Sequence, residues 1–128
     1  MSTDKTESRV AGEEAIIQPF LAPLAAGLPG AFGLLDDCAA IAPTPGMDLV
    51  VKTDPVAAGV HFLPDDAPED IAWKALAVNV SDLAAKGARP RAYLMALSFP
   101  TAPTRLWMRR FADGLAAAPG RGGLERVL

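Results

Sequence analysis

"LVVKTDPVAAGVHFLPDD", residues 49–66, is the stretch on which the fold turns. Leu49, Val50 and Val51 open it as a buried strand would. The sequence then becomes polar at once through Lys52-Thr53-Asp54, and the chain's only histidine, His61, sits between apolar neighbours. A charged cluster at the end of such a strand is either the start of a solvated connection or a site that the strand delivers. Acidic residues on either side bear on the choice.

Upstream, Cys38 to Ala42 and Met47 to Thr53 are short apolar runs separated by Pro43-Thr44-Pro45-Gly46. Proline and glycine in that order punctuate a tight connection, so a hairpin is expected. Asp54 to Ala67 reads as a long loop. A helix is expected from Pro68, which suits the first helical position, to Lys86, with Gly87 as its left-handed cap. Arg91 to Phe99 reads as a strand closed by Pro100. Thr104 or a neighbour caps a last amphipathic helix that runs to about Ala118. Glu13 to Ala26 has helical apolar spacing, with Pro19 deep enough inside to kink or split it. The order α-β-β-α-β-α predicts an α+β fold, a mixed or antiparallel sheet with helices on one face.

Residues 1–12 are expected to form a flexible tail, residues 13–118 the folded domain and residues 119–128 a divergent tail. Pro119-Gly120-Arg121-Gly122-Gly123 leads into the last five residues with no room for another strand, which reads as a chain that stops early.

Length and composition set the outer bounds. The chain has 128 residues, a length suited to one domain with a real core. It is 51% hydrophobic and 21% charged, as soluble globular proteins are. A net charge of −3 and the lack of any basic run argue against nucleic-acid binding. One cysteine, Cys38, excludes an internal disulfide framework, and its apolar surroundings favour a core position over a nucleophile. The first twelve residues have no apolar core of a secretory signal, and Ala15 to Leu35 is broken by Gln18, Pro19, Pro23 and Pro29. A cytoplasmic protein with no membrane partner is expected.

Three acidic sites remain. At about 100° per residue, Ile71, Ala75, Val78 and Asp82 share one side of the 68–86 helix, with Asn79 close by. The rest of that helix is nearly as apolar, so it should be buried on most of its surface. A carboxylate on such a helix needs a partner: a lysine such as Lys74 or Lys86, another cation, or a metal. Asp36-Asp37, just before the first strand, is either turn chemistry or a ligand pair. Asp54 ends the second strand. Three carboxylates converging at one sheet end would suit magnesium, which prefers oxygen ligands and often carries substrate phosphates. Neither a Walker-type phosphate loop nor a strand-linked Gly-x-Gly-x-x-Gly is present.

The blocks G-L-L-D-D-C-A at 33–39, T-D-P-V-A-A-G-V-H-F-L-P at 53–64 and K-A-L-A-V-N-V-S-D-L-A-A-K-G-A-R-P at 74–90 resemble the thiamine-monophosphate kinase family. The similarity covers roughly residues 13 to 115. That family is grouped with aminoimidazole ribonucleotide synthetase, and the resemblance implies the ATP-binding N-terminal domain of that superfamily. It further implies ATP as co-substrate, thiamine monophosphate as acceptor and a homodimer. Asp37, Thr53, Asp54 and Asp82 would bind magnesium ions bridging the ATP phosphates, and His61 would contact the thiamine phosphate. Lys52 departs from the family, which commonly carries a metal-binding serine there. Its ammonium would either replace a cation near phosphate or face solvent. Leu35 also departs, standing where many members have glycine. Family members continue into a Gly-Gly-Asp-Thr motif and a second domain, so this chain is expected to be an N-terminal fragment without turnover of its own.

Overall fold

The computed structural model of the chain describes residues 8–120. Its frame is a pair of helices, α2 (Pro68–Ala85) and α3 (Arg105–Ala117), preceded by a short α1 (Glu14–Ile16) that continues into irregular turns. Pro68 takes the first position of α2, where its missing N–H leaves no bond unmade. Gly87, at φ +71°, closes the helix as the Ala88 N–H donates to the Leu83 carbonyl at 3.0 Å. At the start of α3, Thr104 Oγ1 accepts from the Trp107 N–H at 3.1 Å. All three signals match the sequence reading.

Pro19 also acts as expected. Its ring cannot sit in a regular helix interior, and the chain widens into a π turn over Ile17–Leu21 before tightening to a 3₁₀ turn over Ala22–Ala25.

The core lies where α2 meets α3. Ile71, Ala72 and Leu76 pack against Met108, Phe111, Ala112 and Leu115, with Phe20 and Val10 closing the cluster. The two backbones approach closely at Gly114, where a Cβ would fall 2.7 Å from the Glu69 Cα. Trp107 stacks on Phe111 at 5.0 Å between centroids and meets Phe99 edge-on at 5.5 Å. Residues 8–10 of the expected tail are tied down: the Val10 N–H donates to the Pro103 carbonyl at 3.0 Å, and the Arg105 N–H to that of Ser8 at 2.8 Å. The rest of the tail before residue 8 lies outside the described residues, as do residues 121–128 of the expected C-terminal tail.

The expected sheet is not met. Among the described residues the only bridges are isolated ones, Arg9 with Thr104 and Ala58 with Phe62. The turn between the first two runs does form, with the Met47 N–H donating to the Thr44 carbonyl at 3.1 Å and Gly46 at φ +75°. The runs on either side of it do not pair. Strands need a partner and a covered face, and a lone two-stranded hairpin is marginal in water. Here Pro43 and Pro45 also remove donors beside the turn, and residues 41–51 are exposed throughout. The 91–99 run keeps the alternation of a strand without a ladder: Met95, Leu97 and Phe99 pack on the core, while Leu94, Ala96 and Ser98 face out.

Two smaller expectations are corrected. Helix α2 is buried only along its first half, at Pro68, Ile71, Ala72 and Leu76, because α3 covers no more than that. Cys38 is exposed rather than in the core, since no sheet forms around it. No helix among the described residues is long and apolar enough to cross a membrane.

Candidate functional site

Residues 52–54 lie against the last turns of α2. Lys52 Nζ meets Asp54 Oδ2 at 3.0 Å and Asp82 Oδ2 at 2.5 Å, so one ammonium joins two of the carboxylates singled out from sequence. Lys52 and Asp54 are two residues apart, the spacing that puts side chains on one face of an extended chain. Asp82 comes to them from the helix. The lysine side chain is the most enclosed of the three, at 20% exposure against 55% for Asp54 and 60% for Asp82. Its hydrogen bond to Asp82 is the largest influence holding the ammonium above the usual lysine range. Desolvation opposes it, and the bond to Asp54 adds to it.

Asn79, one turn before Asp82, fastens the segment to the helix. Its Nδ2 donates to the Ala75 carbonyl at 2.8 Å and to the Asp54 carbonyl at 3.3 Å. Its Oδ1 is buried without a hydrogen-bond partner among the described residues. Two anchors therefore fix the carboxylates: α2 for Asp82, and the Asn79 amide for the Asp54 backbone.

His61 sits in a tight loop that starts from Ala57. The His61 N–H donates to the Ala57 carbonyl at 2.9 Å, and the Ala57 N–H donates back to the ring Nδ1 at 2.9 Å. With Nδ1 accepting, the neutral ring carries its proton on Nε2 and presents a donor. Gly59, at φ +77°, allows the turn. From α2, Lys74 Nζ donates to the His61 carbonyl, which ties the loop to the helix. A shallow depression of about 200 Å³ is lined here by Gly59, Val60, His61, Phe62, Leu63 and Asp66.

Asp37 and Thr53 are both exposed. Next to Asp37, Asp36 Oδ1 accepts from the Cys38 N–H at 3.3 Å, which is turn chemistry. Among the described residues no three His, Cys, Asp or Glu side chains come together in a group that could hold a metal ion. The structure thus brings Asp54 and Asp82 together but does not assemble them with Asp37. Asp82 finds its partner in Lys52, not in Lys74 or Lys86. Sequence reasoning left the role of Lys52 open, and the Lys-x-Asp spacing is the signal that points to it.

The sequence pattern of the family described as AIR synthase related protein, N-terminal domain, matches residues 35–125. Among curated proteins, the thiamine-monophosphate kinase of Caulobacter vibrioides is 45% identical over 100 residues, which is 78% of this chain and 28% of that protein. The enzyme of the same name from Escherichia coli K12 is 47% identical over 83 residues, 65% of this chain and 25% of its own. That of Haemophilus influenzae is 41% identical over 80 residues, 62% of this chain and 24% of its own. The chain therefore spans about a quarter of the length of these relatives. No solved structure matches it.

Proposed function

This chain belongs to the AIR synthase related protein family, N-terminal domain, and on that premise we propose that it serves the phosphorylation of thiamine monophosphate by ATP. In that reaction a phosphate oxygen of thiamine monophosphate attacks the γ-phosphorus of ATP. The bond to the β-phosphate oxygen breaks, and thiamine diphosphate and ADP result. The second pKa of a phosphate monoester is about 6, so the nucleophile is mostly deprotonated at neutral pH and needs no general base. The difficulty is the repulsion between two anions, and catalysis is mainly positioning and charge compensation.

The observation that carries this reading is the charged cluster of Lys52, Asp54 and Asp82 at the end of the 47–53 run, with the His61 loop following it in the chain. His61, its Nδ1 already occupied, is suited to donate from Nε2 to the substrate phosphate rather than to act as a base. ATP is the co-substrate in this reading and magnesium its counter-ion, with Asp37, Thr53, Asp54 and Asp82 as the ligand set. The arrangement of the residues does not fit that four-ligand cage. Asp37 is not gathered with the others, and the Asp54–Asp82 pair already holds an ammonium.

A homodimer belongs to the same reading. Val51 and Leu94 are each 88% exposed and Met47 is 68% exposed, apolar side chains that a second copy would cover. The same surface favours a second reading, a module that dimerises or binds nucleotide without turnover.

Exchange into a relative tests the function. Residues 35–115 of this chain, replacing the matching segment of the Escherichia coli enzyme, should support thiamine diphosphate formation from thiamine monophosphate and ATP. His61→Ala in that chimera should weaken the dependence on thiamine monophosphate more than that on ATP. A chimera that folds by circular dichroism, dimerises by sizing chromatography and yet makes no product would sink the kinase reading and favour the module.

A further inference from the structure

We propose that Lys52 is the resident cation of the Asp54–Asp82 pair and bars a divalent ion from the position between them. The inference rests on the reading of these carboxylates as part of a metal–phosphate site, and it changes what that site contains. The ammonium lies 3.0 Å from Asp54 Oδ2 and 2.5 Å from Asp82 Oδ2, one oxygen from each side chain. A magnesium ion shared by the pair would need oxygens at about 2.1 Å and would occupy nearly the same volume. Lysine and metal therefore compete for one place. The lysine has the advantage of being tethered, and its side chain is the most enclosed of the three.

The anchors reinforce this. Asp82 is carried by α2, and the backbone of Asp54 is tied to the same helix by Asn79, so the two residues that hold the ammonium are set side by side on one element. Charge leads the same way: the two carboxylates alone would offer a divalent ion −2, and the ammonium halves that to −1. An ammonium has three N–H donors, and two are used here, which leaves one for an oxygen of a phosphoryl group. At this position the chain offers phosphate a direct hydrogen bond in place of a bridging metal.

The test is manganese binding by the 128-residue chain without nucleotide, with free Mn2+ read from its electron paramagnetic resonance signal. Lys52→Met should bind one Mn2+ at least about tenfold more tightly than the parent, the order expected when a like charge a few ångström away is removed. Lys52→Arg should behave as the parent does. Asp82→Asn added to Lys52→Met should abolish the gain, and Lys52→Ala repeats the measurement should the methionine variant fail to fold. Equal Mn2+ affinity in parent and Lys52→Met would overturn the proposal and leave the metal reading standing. A folded Lys52→Met that binds no Mn2+ would overturn both.

Discussion

The helix pair and the segment from residue 38 to residue 60 are similarly rich in apolar side chains, yet they meet water very differently. Along α2 and α3, Ala72 and Met108 are wholly enclosed, at 0% exposure, while Val51 is 88% and Val60 77% exposed. The reason lies in where each kind of structure finds its hydrogen bonds. A helix closes them within four residues and needs a neighbour only for one face. A strand must find both a partner edge and a covering layer, and apolar content supplies neither. The side chains of Lys52 and Asn79 fasten the second region to the first, and Lys74 holds His61 just beyond it.

Truncation mutants sharpen this contrast most. Met108→Ala should cost roughly 2–5 kcal/mol, the range for emptying a packed core site. Leu94→Ala, at a side chain 88% exposed, should stay within about 0.5 kcal/mol. Urea denaturation of each variant measures both. A Leu94→Ala cost close to that of Met108→Ala would break the comparison, because it would mean that the 91–99 run is covered in solution, by a sheet or by a second copy of the chain.

A smaller effect is expected at the helix crossing. Alanine is the better helix former by about 1 kcal/mol, so Gly114→Ala would stabilise a solitary α3. In this fold the added Cβ would lie 2.7 Å from both the Cα and the carbonyl oxygen of Glu69, backbone atoms that cannot swing aside. The helices must separate, and the net change should be a loss of about 1–3 kcal/mol, typical of overpacking. Thermal unfolding followed by circular dichroism decides it. A rise in melting temperature would show that the helices do not pack this closely.

The same contrast explains what could be read from sequence. Pro68, Gly87, Thr104 and Pro19 gave the helix ends and the break correctly, because each acts through its own backbone within one turn. The turn at Pro45-Gly46 was legible for the same reason. The sheet was not, since whether 38–42 and 47–53 pair depends on partners that no local signal specifies. At the site, a partner for Asp82 was expected because its helix reads as buried. The partner is there, but the Asp82 side chain is 60% exposed, so burial is not what requires it. Which cation it would be depended on residue 52 arriving from thirty positions away. Asp37 shows the converse: its neighbour Asp36 accepts a bond from two residues on, and among the described residues no metal-holding group forms that would draw the pair toward α2.

The smallest expected effect concerns the ion pair at the rim of the helix crossing. Arg110 Nε donates to Glu69 Oε1 at 2.7 Å, and this bond holds the Glu69 carboxyl below the ordinary glutamate range. A carboxyl with a depressed folded pKa stabilises the fold above its unfolded value, about 4.3, and gives that up as pH falls through the folded value. The gain should be slight. The Arg110 side chain is 45% exposed, so water and salt screen the pair, and Glu69 Oε2 is buried with no hydrogen-bond partner among the described residues. Glu69→Gln keeps an acceptor for Arg110 and removes the charge. Denaturation midpoints of parent and variant should therefore differ modestly at pH 7, with the parent higher, and converge as the pH is taken below about 4. A gap that persists unchanged to pH 3 would assign the contribution to packing and neutral hydrogen bonding. The charge of Glu69 would then add nothing at this crossing, and what Arg110 contributes there would come from its packing and from the neighbouring Asp70.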